Sequence, residues 1–102
     1  MRVKFCGITD IDDAAEAVRL GAWAIGLIHY EGSPRNVDPA VAAQIAAAFR
    51  RKAEIVGVFV NPTLAEVTRA VEDEQLSMVQ LNGEEGASFC SEVARRDRKS
   101  VV

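Results

Sequence analysis

No apolar run in this chain approaches the ~18 residues that a membrane-spanning helix needs. The opening MRVKFCGITD also lacks the apolar core of about 7–15 residues, followed by a small-residue cleavage site, that marks a secretory signal. Neither a membrane span nor a signal peptide is expected, and the protein is expected in the cytoplasm. Cysteine is scarce: Cys6 and Cys90 are the only two, and they lack the C-x-x-C spacing of a metal or redox site. A reducing cytosol argues against a structural disulfide between them. His29 is the single histidine, and with no second ligand in view a metal site is not expected. The 12 Lys and Arg are dispersed and the net charge is -3. A nucleic-acid or anionic-membrane partner would call for a clustered basic excess, so neither is expected. No low-complexity linker or sequence repeat divides the chain. The 49% hydrophobic and 26% charged residues over 102 positions describe an ordinary globular domain, or part of one.

Within that frame the pattern is regular. Apolar, β-branched-rich runs at Arg2–Cys6, Trp23–Ile28, Ile55–Val60 and Ser77–Leu81 alternate with helical periodicities. Asp10 is expected to cap a first helix with Ile11, Ala14, Ala15 and Val18 on one stripe, its first turn made favourable by Asp12 and Asp13, and Gly21 is expected to end it. A second helix should follow Asp38, with Pro39 in its first position and Val41, Ile45, Ala48 and Phe49 buried. A third should start at Thr63 with Leu64, Val67 and Val71 inward. A fourth, from about Glu84 to Arg96, would present Phe89, Cys90 and Val93, its two opening carboxylates facing the positive end of the helix dipole. Cys90 reads as packing, and Trp23 as a strand-starting ring against a helix. Strands such as IVGVFV are apolar on both faces, as in a parallel sheet covered by helices. The expectation is an α/β fold of four strand–helix units.

In parallel α/β folds ligands sit at the C-terminal ends of the strands. Polar and small residues gather there: Cys6-Gly7 after the first strand, Ser33-Pro34-Arg35 after the second, Asn61-Pro62 after the third, Gln80-Leu81-Asn82-Gly83 after the fourth. Read alone, a free cysteine is more often a small buried hydrophobe, and a loop arginine is more often simply solvated. Taken together, KFCGIT, GSPRNVDP, VGVFVN and VQLNG stand in the order and spacing of the phosphoribosylanthranilate isomerase family, which residues 1–96 resemble.

That resemblance implies a (β/α)₈ barrel of which only the first four βα units are present, a half barrel with a parallel sheet. It implies an Amadori rearrangement of N-(5-phosphoribosyl)anthranilate in tryptophan synthesis, with no cofactor. Cys6 matches the family's catalytic base. Because an unperturbed thiol titrates at about 8.5, a cysteine base needs nearby donors or positive charge to ionise at neutral pH, and Lys4 lies two residues earlier on the same strand face. Arg35 matches the residue that reaches the anthranilate carboxylate, a task suited to a guanidinium fork. Gln80 and Asn82 are candidate substrate-binding residues; the family usually has histidine where Asn82 stands, which removes a titratable ring.

The family barrel runs to roughly 200 residues or more, so the general acid and the phosphate site are expected in a half not represented here. Alone, residues 1–96 are expected to be inactive and to self-associate through open strand edges. Residues 97–102, DRKSVV, depart from the family pattern. GATCGGAAGAGCGTCGTG encodes them, a string that resembles the start of a short-read sequencing adapter, so this stretch is expected to be a non-native tail. Two other readings keep the architecture. One is a non-enzymatic half-barrel binding or assembly module; the other is a different phosphate-binding barrel enzyme, which would not be expected to place KFCGIT on its first strand.

Overall fold

The structure is a computed structural model that describes residues 2–97 and 99–102. Met1, at the head of the expected domain, and Arg98, within the expected tail, lie outside the described residues. The elements are β1 (Lys4–Cys6), α1 (Ile11–Arg19), β2 (Ala24–His29), α2 (Pro39–Phe49), β3 (Glu54–Phe59), α3 (Leu64–Glu74), β4 (Met78–Leu81), α4 (Ala87–Asp97) and β5 (Ser100–Val101). The strands form one sheet in the order β1-β2-β3-β4-β5, every neighbouring pair parallel. Parallel neighbours need a crossover, and the four helices supply it. Among the described residues no helix is long and apolar enough to cross a membrane.

The helix starts follow from their caps. Asp10 Oδ1 accepts from the Asp13 N–H at 2.7 Å, Asp38 Oδ1 from Ala40 at 2.8 Å, and Thr63 Oγ1 from Glu66 at 3.1 Å. Pro39 occupies the first turn of α2, where its missing N–H costs nothing. Gly21, at φ +84, ends α1. Its N–H donates to Val18 O and the Ala22 N–H to Ala17 O, each at 3.0 Å, which are the two bonds of a Schellman motif.

The buried faces differ from expectation in two helices. α1 buries Ala14 and Ala17, whereas Ile11 is 41% exposed and Ala15 also faces solvent. Two alanines one turn apart let the backbone approach the sheet closely, which rotates the face away from Ile11. α2 likewise buries Ala42, Ile45 and Ala46, and Ala48 is exposed. A third correction concerns α4. It begins at Ala87, not near Glu84, because the Glu85 carboxylate binds the backbone of Asn61 and Gly83 and holds this stretch out of helical geometry.

The fourth correction is the strand count. Four strands are expected and five are found: Ser100 pairs with Met78 and Val101 with Val79. The edge of β4 presents unsatisfied N–H and C=O groups, and the extended Ser-Val-Val segment takes them, with Leu81 N–H donating to Val102 O at 3.0 Å.

The sheet has two unlike faces. Ile25, Leu27, Ile55, Phe59 and Val79 pack with Ile45, Val67, Leu76 and Val93 into one helix-covered core. On the other face Ala24, Val56 and Val58 form a second cluster flanked by Trp23, Ile28 and Met78. Trp23 thus packs on this second face, with the Arg2 guanidinium 5.0 Å above its ring, and not against a helix as the sequence suggests.

That second face is concave. β1 and β4 are three strand spacings apart, about 14 Å on a flat sheet, yet the Lys4 ammonium donates to Gln80 Oε1. Curling of the sheet toward this face brings those side chains together.

His29 ends β2 on the helix side. Its Nε2 lies 2.6 Å from Glu74 Oε1 and its Nδ1 2.9 Å from Leu27 O, and the ring stacks on Phe59 with centroids 4.8 Å apart. Glu74 is 1% exposed and its other oxygen stands 3.5 Å from Arg69. The histidine is committed to a buried hydrogen bond with Glu74.

Candidate active site

All strands run the same way, so the loops after β1, β2, β3 and β4 open on one end of the sheet. Cys6 is the last residue of β1, and its thiol is exposed. The register pairs Cys6 with Gly26. A Cβ on Gly26 would stand 2.9 Å from the Cys6 sulfur, so that glycine leaves the space in which the thiol sits.

Gly7 then turns the chain at φ +87, and its N–H donates to Gly26 O at 3.0 Å. A Cβ there would lie 2.5 Å from Arg35 Cδ and 3.1 Å from Arg35 Nη1. The Arg35 side chain therefore lies directly across the peptide that follows Cys6. Its loop is wired from within. Asn36 Oδ1 accepts from the Tyr30 N–H at 3.0 Å and Ser33 Oγ from the Arg35 N–H at 3.1 Å. At the neck, Val37 N–H donates to Ile28 O at 2.9 Å, and Asn36 bridges to Ile28. A loop closed in this way presents its guanidinium at a defined place.

On the far side of the concave face, Gln80 Nε2 donates to Asn82 Oδ1 at 3.0 Å while Gln80 Oε1 receives the Lys4 ammonium. The structure thus joins the expected site residues in two groups, Cys6 with Arg35 across Gly7, and Lys4 with Gln80 and Asn82. Among the described residues no hydrogen bond links one group to the other, and no cluster of three or more His, Cys, Asp or Glu is placed to hold a metal. A cavity of about 680 Å³ lies at the opposite end of the strands, bordered by Arg50, Arg51, Gln75, Leu76, Ser77 and Lys99. In folds of this kind that end serves stability.

The chain matches the model of one protein family, described as N-(5'phosphoribosyl)anthranilate (PRA) isomerase, over residues 3–101. The chain belongs to that family. Among curated relatives, the N-(5'-phosphoribosyl)anthranilate isomerase of Halorhodospira halophila is 45% identical over 100 residues, 98% of this chain and 48% of its own. The one of Citrifermentans bemidjiense is 42% identical over 99 residues, 97% of this chain and 48% of its own. The crystal structure of the Thermus thermophilus isomerase superposes with a TM-score of 0.92 at 40% identity, covering 99% of this chain and 50% of that one. A phosphoribosylanthranilate isomerase solved in complex with reduced 1-(o-carboxyphenylamino)-1-deoxyribulose 5-phosphate superposes with a TM-score of 0.93 at 38% identity, covering 99% and 51%. The chain spans about half the length of the isomerases it matches.

Sequence reasoning names Cys6, Arg35, Gln80 and Asn82 but misses what holds them: Gly26 behind the thiol, Asn36 and Ser33 within the arginine loop, and Glu85. A strand glycine opposite a cysteine carries no sequence signal until the register is known. The asparagine at 36 beside a proline-containing turn carries a weak one, since Asn side chains bond nearby backbone.

Proposed function

We propose that this chain is the N-terminal half of a (β/α)₈-barrel phosphoribosylanthranilate isomerase acting in the cytoplasm in tryptophan synthesis. The curl of the sheet supports the barrel reading, because a flat sheet would keep Lys4 and Gln80 apart. The observation that carries the function is an exposed Cys6 followed by Gly7, over which the Arg35 side chain lies, in a chain of this family.

The substrate is N-(5-phosphoribosyl)anthranilate and the reaction an Amadori rearrangement. A general acid protonates the furanose oxygen as its bond to C1′ breaks, and the anilino nitrogen lone pair forms the C1′ iminium. The Cys6 thiolate then takes the C2′ proton, giving an enolamine. That enolamine ketonises by accepting a proton at C1′ and losing the C2′ hydroxyl proton, so the protons gained and lost balance, the product is an isomer of the substrate and no cofactor is consumed. Arg35 holds the anthranilate carboxylate in a bidentate pair, and Gln80 and Asn82 bind the substrate from the opposite strand. The acid and the phosphate site belong to the second half of the barrel, so this half alone is inactive and self-associates. Asn82 carries no proton in this scheme; it offers one donor and one acceptor.

In the complete enzyme, Cys6→Ala is expected to lower kcat by about 10²–10⁴-fold, the range of a lost general base, with KM little changed. Undiminished turnover of phosphoribosylanthranilate by that variant would overturn the assignment. Residues 97–102 are proposed as a non-native tail, and a contiguous genomic read that encodes DRKSVV followed by a stop would refute this.

A further inference from the structure

The helical pattern places Glu84 and Glu85 in the first turn of α4, but the fold uses Glu85 elsewhere. Its Oε2 accepts from the Asn61 N–H at 2.7 Å and its Oε1 from the Gly83 N–H at 2.8 Å. In return Asn61 Oδ1 accepts from the Glu84 N–H at 2.7 Å, and the Asn82 N–H donates to Phe59 O at 2.8 Å. The loop after β3 and the loop after β4 are thereby tied to each other in both directions. Asn61 adopts φ 46, a left-handed conformation that non-glycine residues hold only where the surroundings over-determine it. A Cβ at Gly83 would overlap Asn61 Oδ1, so the close approach requires glycine.

Each oxygen of Glu85 accepts from one backbone N–H, so the carboxylate is anchored between the two loops. What it holds is the peptide immediately after Asn82. Asn82 Oδ1 in turn receives Gln80 Nε2, and Gln80 Oε1 receives Lys4, so a swing at Gly83 passes directly to the side chains of the concave face.

We infer that Glu85, together with Asn61, is a positioning residue: the pair sets the orientation of Asn82 and Gln80 toward the substrate. This rests on the reading of Cys6, Gln80 and Asn82 given above. A positioning defect in binding groups raises KM, whereas loss of the base lowers kcat. The two are separable by steady-state kinetics on the complete enzyme, per folded molecule and well below each variant's melting temperature. Glu85→Ala is expected to raise KM roughly tenfold with a smaller change in kcat. Glu85→Gln, which keeps one acceptor oxygen, should fall between Glu85→Ala and the parent. Asn61→Gly removes the Oδ1 acceptor while relieving the left-handed backbone, so it remains folded even if Glu85→Ala does not, and its KM should rise several-fold. Unchanged KM in Asn61→Gly and in any folded Glu85→Ala, alongside an inactive Cys6→Ala, would overturn this inference and leave the assignment of Cys6 standing. Full activity of Cys6→Ala would instead overturn the site reading on which the inference rests.

Discussion

A methyl group added at Gly7 would meet Arg35 Cδ at 2.5 Å in a backbone at φ +87, so two separate penalties fall on one substitution. The backbone term is about 1–2 kcal/mol for an L-residue. The steric term falls on a flexible side chain, so the arginine moves and the strand stays. Gly7→Ala is expected to lower stability by about 1–2 kcal/mol, the steric part being relieved by movement of the arginine, and, in the complete enzyme, to raise KM more than it lowers kcat; thermal denaturation and steady-state kinetics check the two parts. His29 and Glu74 offer a second test, because their side chains are 8% and 1% exposed. Glu74→Leu alone leaves the buried ring nitrogen of His29 without its hydrogen-bond partner and is expected to cost about 1–3 kcal/mol. Glu74→Leu combined with His29→Leu places two apolar groups in the same space and should recover most of that loss. Denaturant midpoints decide it, and additive losses would contradict the pairing. At this scale the motifs single out Cys6 and Arg35 as candidates, whereas the His29 partner is not legible in sequence, since 45 residues of chain separate them.

Among the elements, the starts of α1, α2 and α3 are legible because each is set by one capping side chain bonding a backbone N–H within its first turn. Asp38→Ala removes the acceptor for Ala40 and Val41 and is expected to cost about 1 kcal/mol. The shift in melting temperature measures it, with Asp38→Ser as the variant that retains most of the cap. On α1, the Arg19 guanidinium holds the Glu16 carboxyl below its ordinary range. A carboxylate lowered in the folded state contributes stability above its unfolded value and loses it as the pH falls through the folded one. Both groups are fully exposed, so the contribution is small: Arg19→Gln should lower the melting temperature slightly at neutral pH and not at all in strong acid. The fourth helix was misread because a pair of carboxylates looks the same in sequence whether it meets a helix dipole or two backbone amides of neighbouring loops.

At the level of the whole molecule, β1 and β5 are the sheet's two edges, and an edge strand presents unpaired backbone groups to other chains. The chain by itself is accordingly expected to show a concentration-dependent mass in sedimentation, and a mass that stays monomeric at every concentration would contradict the proposed self-association. Alternation of apolar strand runs with amphipathic helices determined a parallel α/β arrangement, because both-face burial and crossover length are written locally in residue order. Cap residues determined where three helices begin, and four short motifs determined the family. Tertiary structure alone decided which helical stripe is buried, since that depends on how closely alanines let a helix approach the sheet. It also decided the fifth strand, which the open edge of β4 draws into pairing. For Cys6, the residues named by sequence acquire their neighbours only through contacts across the fold: Gly26 opposite the thiol, Arg35 laid over Gly7, and Lys4 joined to Gln80. Contacts between residues far apart in the chain depend on register and curvature, and no local pattern encodes either one.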